Sequence, residues 1–182
     1  PYIVNDSILA FTSTENYDPP WQLWKLDDSE TGATLIADIP TERVRNRAEL
    51  NNSLIFTTHE GHLWKSDGTP NGTHFVAQLL DSPEDDSTLG IEIINDKAII
   101  LSYGGQMWLS DGTNAGTVGF GVVAPSALQM REHTFAKLDG SFFFVGYDAA
   151  HDKELWVLDT NVEPIELFLP IIMLEVPDVQ SN

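Results

Sequence analysis

Three short stretches hold the side chains whose types and spacing could do chemistry. Asp81-Ser82-Pro83-Glu84-Asp85-Asp86-Ser87 sets four carboxylates, Asp81, Glu84, Asp85 and Asp86, within seven residues. They are the hard oxygen donors that Ca²⁺ takes, although the regular Asp-x-Asp-x-Asp-Gly spacing of a calcium loop is missing. A solvated acidic connector is the plainer reading and weak calcium binding the sharper one. Arg43, Arg45 and Arg47 alternate, so on a strand they share one face, where they could meet an anionic ligand or pair with nearby acids. His59-Glu60-Gly61-His62, with His74 further on, offers imidazoles to a metal. Zinc wants three or four convergent ligands, and the spacing differs from the His-Glu-x-x-His of a metalloprotease helix. Surface histidines are expected. Paired carboxylates for glycoside cleavage depend on a separation in space, and no pair stands out in the sequence. The chain contains no nucleophile elbow, no phosphate-cradling Gly-Lys loop and no dinucleotide fingerprint.

The elements that must position these groups are announced by repetition. Val4-Asn5-Asp6-Ser7-Ile8, Leu50-Asn51-Asn52-Ser53-Leu54, Ile94-Asn95-Asp96-Lys97-Ala98 and Leu138-Asp139-Gly140-Ser141-Phe142 share one pattern, starting 46, 44 and 44 residues apart. Asn and Asp tolerate positive φ and Asp-Gly favours a two-residue turn, so each segment predicts a hairpin. Trp24, Trp64, Trp108 and Trp156 track the turns at spacings of 40, 44 and 48 and mark a third strand. Turn and Trp lie 14 residues apart in the middle units but 20 and 18 in the outer ones. The extra residues, Thr14 to Trp21 and Tyr147 to Lys153, are therefore loop insertions, where recognition tends to be placed. Tyr17, Trp21 and Tyr147 are the exposed aromatics they would present.

Just past two of the Trp residues stand Ser66-Asp67-Gly68-Thr69-Pro70-Asn71-Gly72-Thr73 and Ser110-Asp111-Gly112-Thr113-Asn114-Ala115-Gly116-Thr117. An Asp can accept hydrogen bonds from the amides of its own turn while Gly supplies unusual backbone angles, so Asp67, Gly68 and Thr69, and likewise Asp111, Gly112 and Thr113, predict a rigid loop. A fourth apolar strand follows at Thr34–Ile39, His74–Leu80, Val118–Val123 and Ile165–Leu169. No segment carries a sustained helical period.

The expected fold is therefore all-β, a β-propeller of four four-stranded antiparallel blades forming a single domain over 1–182. Its units cover about 1–39, 44–80, 88–123 and 132–169, and 170–182 is a tail. The four Trp residues are expected to wedge neighbouring blades apart from water. Closure into a four-bladed ring is favoured because each unit begins with its own first strand. Four blades of a larger propeller are the alternative, which would expose two sheet faces and invite association.

The units resemble the bacterial ELWxxDGT repeat family, also met as hyalin-like repeats. Gly61-His62-Leu63-Trp64-Lys65-Ser66-Asp67-Gly68-Thr69 and Gly105-Gln106-Met107-Trp108-Leu109-Ser110-Asp111-Gly112-Thr113 fit its pattern, and Glu154-Leu155-Trp156-Val157-Leu158-Asp159-Thr160 fits the first half. The likeness spans roughly 2 to 169. It departs at Asp28, which stands at a Gly position, and in the fourth unit, which lacks the second Gly-Thr. The resemblance implies a propeller-like module of exported or surface proteins, generally without an assigned reaction.

Composition narrows the partners. Lys and Arg total 9 against 28 Asp and Glu, a net charge of −19 over 182 residues, which opposes nucleic acid and anionic membrane surfaces. With 42% apolar and 20% charged residues the chain is globular in composition. It has no Cys, which removes disulfides and thiolate metal sites. The longest apolar run, Leu167 to Leu174, is eight residues, far short of the roughly 20 that span a bilayer. The first residue, Pro1, suggests a processed product or a piece of a longer chain. The function expected is that of a non-catalytic, exported scaffold or interaction module for a protein or glycan, with no cofactor beyond Ca²⁺ and with other domains or chains as further partners. The alternatives are a glycan-cleaving hydrolase and a calcium-stabilised adhesion module.

Overall fold

The structure is a computed structural model that describes residues 1–4, 6–13, 20–26, 32–41, 43–80, 88–102, 105–120, 135–146, 154–160 and 168–170. All regular structure among these is strand. Sheet A comprises β1 (Tyr2–Val4), β2 (Ser7–Thr12), β3 (Trp21–Leu26) and β4 (Ala33–Ile39), and sheet B comprises β5 (Val44–Leu50), β6 (Ser53–Thr58), β7 (His62–Ser66) and β8 (His74–Gln78). Sheet C follows with β9 (Thr88–Ile94), β10 (Lys97–Ser102), β11 (Met107–Ser110) and β12 (Thr117–Phe120). Sheet D has β13 (Phe135–Leu138), β14 (Ser141–Gly146), β15 (Glu154–Asp159) and β16 (Phe168–Pro170). Each sheet is an antiparallel meander in chain order. The last strand is described over Phe168–Pro170, and 165–167, where the sequence places its start, lie outside the described residues.

The turn chemistry explains the registers. Asn51 and Asn52 both have positive φ, at 50° and 56°, as do Asp139 at 47° and Gly140 at 79°. Two central residues of that kind make a type I′ turn, whose twist matches that of the paired strands. Leu50 then faces Ser53 and Leu138 faces Ser141 across the ladder.

The chain divides into two compact units, Pro1–Val123 and Ala124–Asn182. In the first, Leu9, Leu23, Ile39, Val4 and Ile36 of sheet A pack on Val44, Leu54 and Phe56 of sheet B, with Trp64 against them. Phe56 stacks on Trp64 at 6.3 Å and meets the edge of Phe11 at 5.0 Å. The other face of sheet B, through Ile55, Leu63 and Val76, packs on Ala98, Ile100 and Trp108 of sheet C. Trp64 thus points from B towards A and Trp108 from C towards B. The Trp side of one sheet seats the opposite side of the sheet before it. Burying each large apolar side chain stabilises by roughly 1.5–3 kcal/mol, so these seams carry most of the unit's cohesion.

Trp24 departs from the expectation of a buried wedge. It lies on the face of sheet A turned away from B, half-buried, and its indole Nε1 donates to Thr12 Oγ1 at 2.9 Å. In the second unit, Trp156, Phe142, Phe144 and Leu158 are buried on one face of sheet D.

A bulge recurs at one position. Between Leu23 and Trp24 in sheet A, and between Leu63 and Trp64 in sheet B, the register to the last strand slips by one. The extra residues are Ile36 and Val76, both buried in the seams.

Candidate functional site

The loops after Trp64 and Trp108 are built alike. Asp67 Oδ1 accepts from Thr69 N at 2.9 Å and Thr69 Oγ1 at 2.7 Å, and Asp111 Oδ1 accepts from Thr113 N at 2.8 Å and Thr113 Oγ1 at 2.7 Å. Thr69 Oγ1 in turn receives Gly72 N at 3.0 Å, as Thr113 Oγ1 receives Gly116 N at 3.0 Å. The side chain of Ser66 bonds Thr73 at 2.7 Å and that of Ser110 bonds Thr117 at 2.8 Å. A Cβ on Gly72 or Gly116 would overlap the carboxylate of Asp67 or Asp111.

Hydrogen bonding from Thr69 holds the Asp67 carboxyl below the usual carboxylate range, against the opposing effect of burial. At Asp111 burial is the largest single influence and pushes the other way, but the bonds from Thr113 and the charge of Lys97 together bring the carboxyl down. Both loops also touch the preceding sheet. Gly68 lies against Leu9 of sheet A, and Gly112 against Lys65 and Leu50 of sheet B. Asn114 Nδ2 donates to Val76 O of sheet B at 2.9 Å. These residues are joinery between sheets.

A second group of side chains stands where β4 gives way to β5. Trp21 pairs with Ile39 across sheet A and packs half-buried on the A/B core. Thr41, 1% exposed, donates from Oγ1 to Glu60 Oε2 at 2.6 Å and accepts from Arg43 N at 3.1 Å. His59 N donates to Arg43 O at 2.8 Å, and Arg45 Nη2 lies 3.0 Å from His59 Nδ1. A guanidinium only donates, so Nδ1 is the accepting nitrogen there. The turn beneath is fixed from both sides: Gly61, at φ 75°, donates to Thr58 O at 3.1 Å and accepts from Leu79 N at 2.8 Å. Gln78 Nε2 donates to Glu60 O at 2.9 Å.

The three arginines do not share a face as strict alternation predicts. The β5·β6 register slips between Val44 and Arg47, which interrupts the pleat. Arg45 turns to His59, whereas Arg47 lies over the rings of Tyr2 at 5.3 Å and Phe11 at 5.7 Å, a cation–π contact between sheets A and B. Arg43 is exposed at the corner. The corner therefore brings the exposed Arg43 beside the Arg45–His59 pair, cationic and imidazole groups that could meet a small anionic group.

Of the other residues singled out in the sequence, Tyr17 and Tyr147 lie outside the described residues, as do Asp81, Glu84, Asp85 and Asp86. Among the described residues no three His, Asp or Glu side chains gather as a metal-binding group. Thr41 and Glu60 gave no signal in the sequence, because their partnership joins positions 19 apart through the fold.

No protein family matches the chain, and no curated protein does. Among solved structures, it is similar to a chain of the Saccharomyces cerevisiae complex of a Dbp5 variant with Nup159, a Gle1 variant, IP6 and ADP, at 15% identity and a TM-score of 0.45. It is also similar to BamB from Moraxella catarrhalis, at 14% identity and a TM-score of 0.44. These likenesses cover 83% and 84% of this chain but only 42% and 49% of the structures it matches. Among the described residues no helix is long and apolar enough to cross a membrane.

Proposed function

We propose that the chain is a non-catalytic scaffold and interaction module of the ELWxxDGT kind, part of an exported bacterial protein, which binds a protein or glycan partner. Its sheets are blades of a propeller, closed as a four-bladed ring or part of a larger one. The observation that carries the reading is the division of labour among side chains. The repeated residues, from Trp64 and Trp108 to the carboxylates of Asp67 and Asp111, serve sheet-to-sheet packing and loop rigidity. Outside the repeat, Arg43, Arg45 and His59 are brought together at one corner by the Arg45–His59 contact and the bond from His59 N to Arg43 O. Rigid frames with variable corners are how binding modules place recognition.

The test titrates acidic and neutral oligosaccharides and acidic peptides onto the immobilised chain while reducing ends are assayed in parallel. Saturable binding that weakens about tenfold in Arg43→Ala, with no release of reducing ends, is expected. Steady release of reducing ends, or no saturable binding to any of the panel, overturns the reading.

A further inference from the structure

Each sheet of the first unit sets a hydroxyl at the same diagonal position from its repeated Trp. Trp24 pairs with Ala10, Trp64 with Phe56 and Trp108 with Ile100, and two residues past those partners stand Thr12, Thr58 and Ser102. Residues two apart on a strand share a face, and diagonal neighbours on adjacent strands lie within reach of a long aromatic side chain. In sheet A the two groups bond directly, Trp24 Nε1 donating to Thr12 Oγ1 at 2.9 Å.

In sheets B and C the hydroxyl has another task. The second strand returns to the third through a short turn, and Thr58 Oγ1 accepts from His62 N at 3.3 Å, as Ser102 Oγ accepts from Gln106 N at 3.0 Å. In sheet A the connection from Thr12 to Trp21 is longer, and the hydroxyl accepts from the indole instead. Loop length thus decides which donor the hydroxyl serves.

The consequence falls on Trp64. Its Nε1 is sealed from solvent and donates to no acceptor among the described residues. Thr58 is 1% exposed, and its Oγ1 accepts from His62 N while its own O–H donates to no described residue. Two buried donors on one face of adjacent strands therefore call for an acceptor, because native interiors seldom leave such groups unpaired. The rings that flank the indole, Phe56 at 6.3 Å and Phe75 at 6.1 Å, offer none.

We infer that the A/B seam is a binding site for one water molecule, whose oxygen accepts from both Trp64 Nε1 and Thr58 Oγ1. A buried water needs two to four polar partners, and this pair supplies two. A charged acceptor would have to shed its hydration to enter a seam lined by Leu54, Phe56 and Ile39, which disfavours an anion. The water completes the hydrogen bonding of the hydroxyl that fixes the turn from Thr58 to His62. That turn carries His59 and Glu60, so the water also steadies the base of the Arg43 corner. The inference is independent of what that corner binds.

Crystallography of the full chain provides the test. An ordered water is expected within about 2.7–3.2 Å of both Trp64 Nε1 and Thr58 Oγ1, kept in Thr58→Ser and lost in Thr58→Val. Urea unfolding of Thr58→Val and Trp64→Phe, singly and together, measures the bridge in solution, with circular dichroism establishing that each variant is folded. Thr58→Val also deletes the acceptor of His62 N, but that loss is common to both backgrounds and cancels in the cycle. The rise in unfolding constant caused by Thr58→Val is expected to be about fivefold smaller in Trp64→Phe than in the wild type. Well-ordered side chains with no water between them overturn the inference. So do a direct bond from Trp64 Nε1 to Thr58 Oγ1, as in sheet A, and strictly additive unfolding costs.

Discussion

Gly72→Ala is a sharp test of the loop architecture, because only one thing opposes it. Gly72 does not have a positive φ, so its backbone angles suit alanine. What stands in the way is the Asp67 carboxylate, which occupies the space a Cβ would need. Moving that carboxylate forfeits its two bonds from Thr69, at 2.9 and 2.7 Å. At about 0.5–1.5 kcal/mol net for each bond, the loss is about 1–3 kcal/mol, with some strain besides. In an Asp67→Ala background the obstruction is gone. There the same substitution should cost nothing, and the reduced freedom of the unfolded chain could stabilise by about 0.4–1 kcal/mol. The coupling energy of the cycle is thus about 2 kcal/mol, well above experimental error. Urea denaturation followed by tryptophan fluorescence measures it, and Gly116 with Asp111 provides an independent repeat of the experiment. Equal costs for Gly72→Ala in the two backgrounds would refute the packing argument.

Other consequences can be checked in the same assays. Trp108→Ala should cost about 3–5 kcal/mol and Trp24→Ala about 1–2, since the first indole is 8% exposed in the B/C seam and the second half-buried on an outer face; equal losses would contradict the seam assignment. Asp67 and Asp111 have folded-state pKa values below the ordinary 3.8. Their stabilisation is therefore complete above that pH and is lost as pH falls through the folded values. Acid titration of unfolding should show a shallower fall below pH 4 in Asp67→Asn/Asp111→Asn than in the wild type. Thr41→Val removes the donor to Glu60 and the acceptor for Arg43 N at a site 1% exposed, so a loss of about 1–3 kcal/mol is expected by urea denaturation.

The meander could be read from the chain because its signals are local. Asn51-Asn52 and Asp139-Gly140 encode a turn in the residues that make it, and Ser66-Asp67-Gly68-Thr69 encodes its own hydrogen bonds. The corner at Arg43 was only half legible. Alternation places Arg43, Arg45 and Arg47 together, but the bulge before Arg47 is fixed by pairing with β6 and has no mark in β5 itself. Trp24 illustrates the same limit from the other side. It is in phase with Trp64 and Trp108, yet burial depends on a neighbouring sheet, which a repeat in the sequence cannot supply.

The bonds around Asp67-Gly68 and Asp111-Gly112 bear on how the protein ages. Aspartyl-glycine linkages are chemically fragile because the glycine nitrogen can attack the side-chain carbonyl, closing a succinimide that reopens as isoaspartate. Here those nitrogens donate to Ser66 Oγ at 3.1 Å and Ser110 Oγ at 3.0 Å, while threonines grip the carboxylates. The folded chain shields two of its own weakest covalent links with serines that also bridge to Thr73 and Thr117.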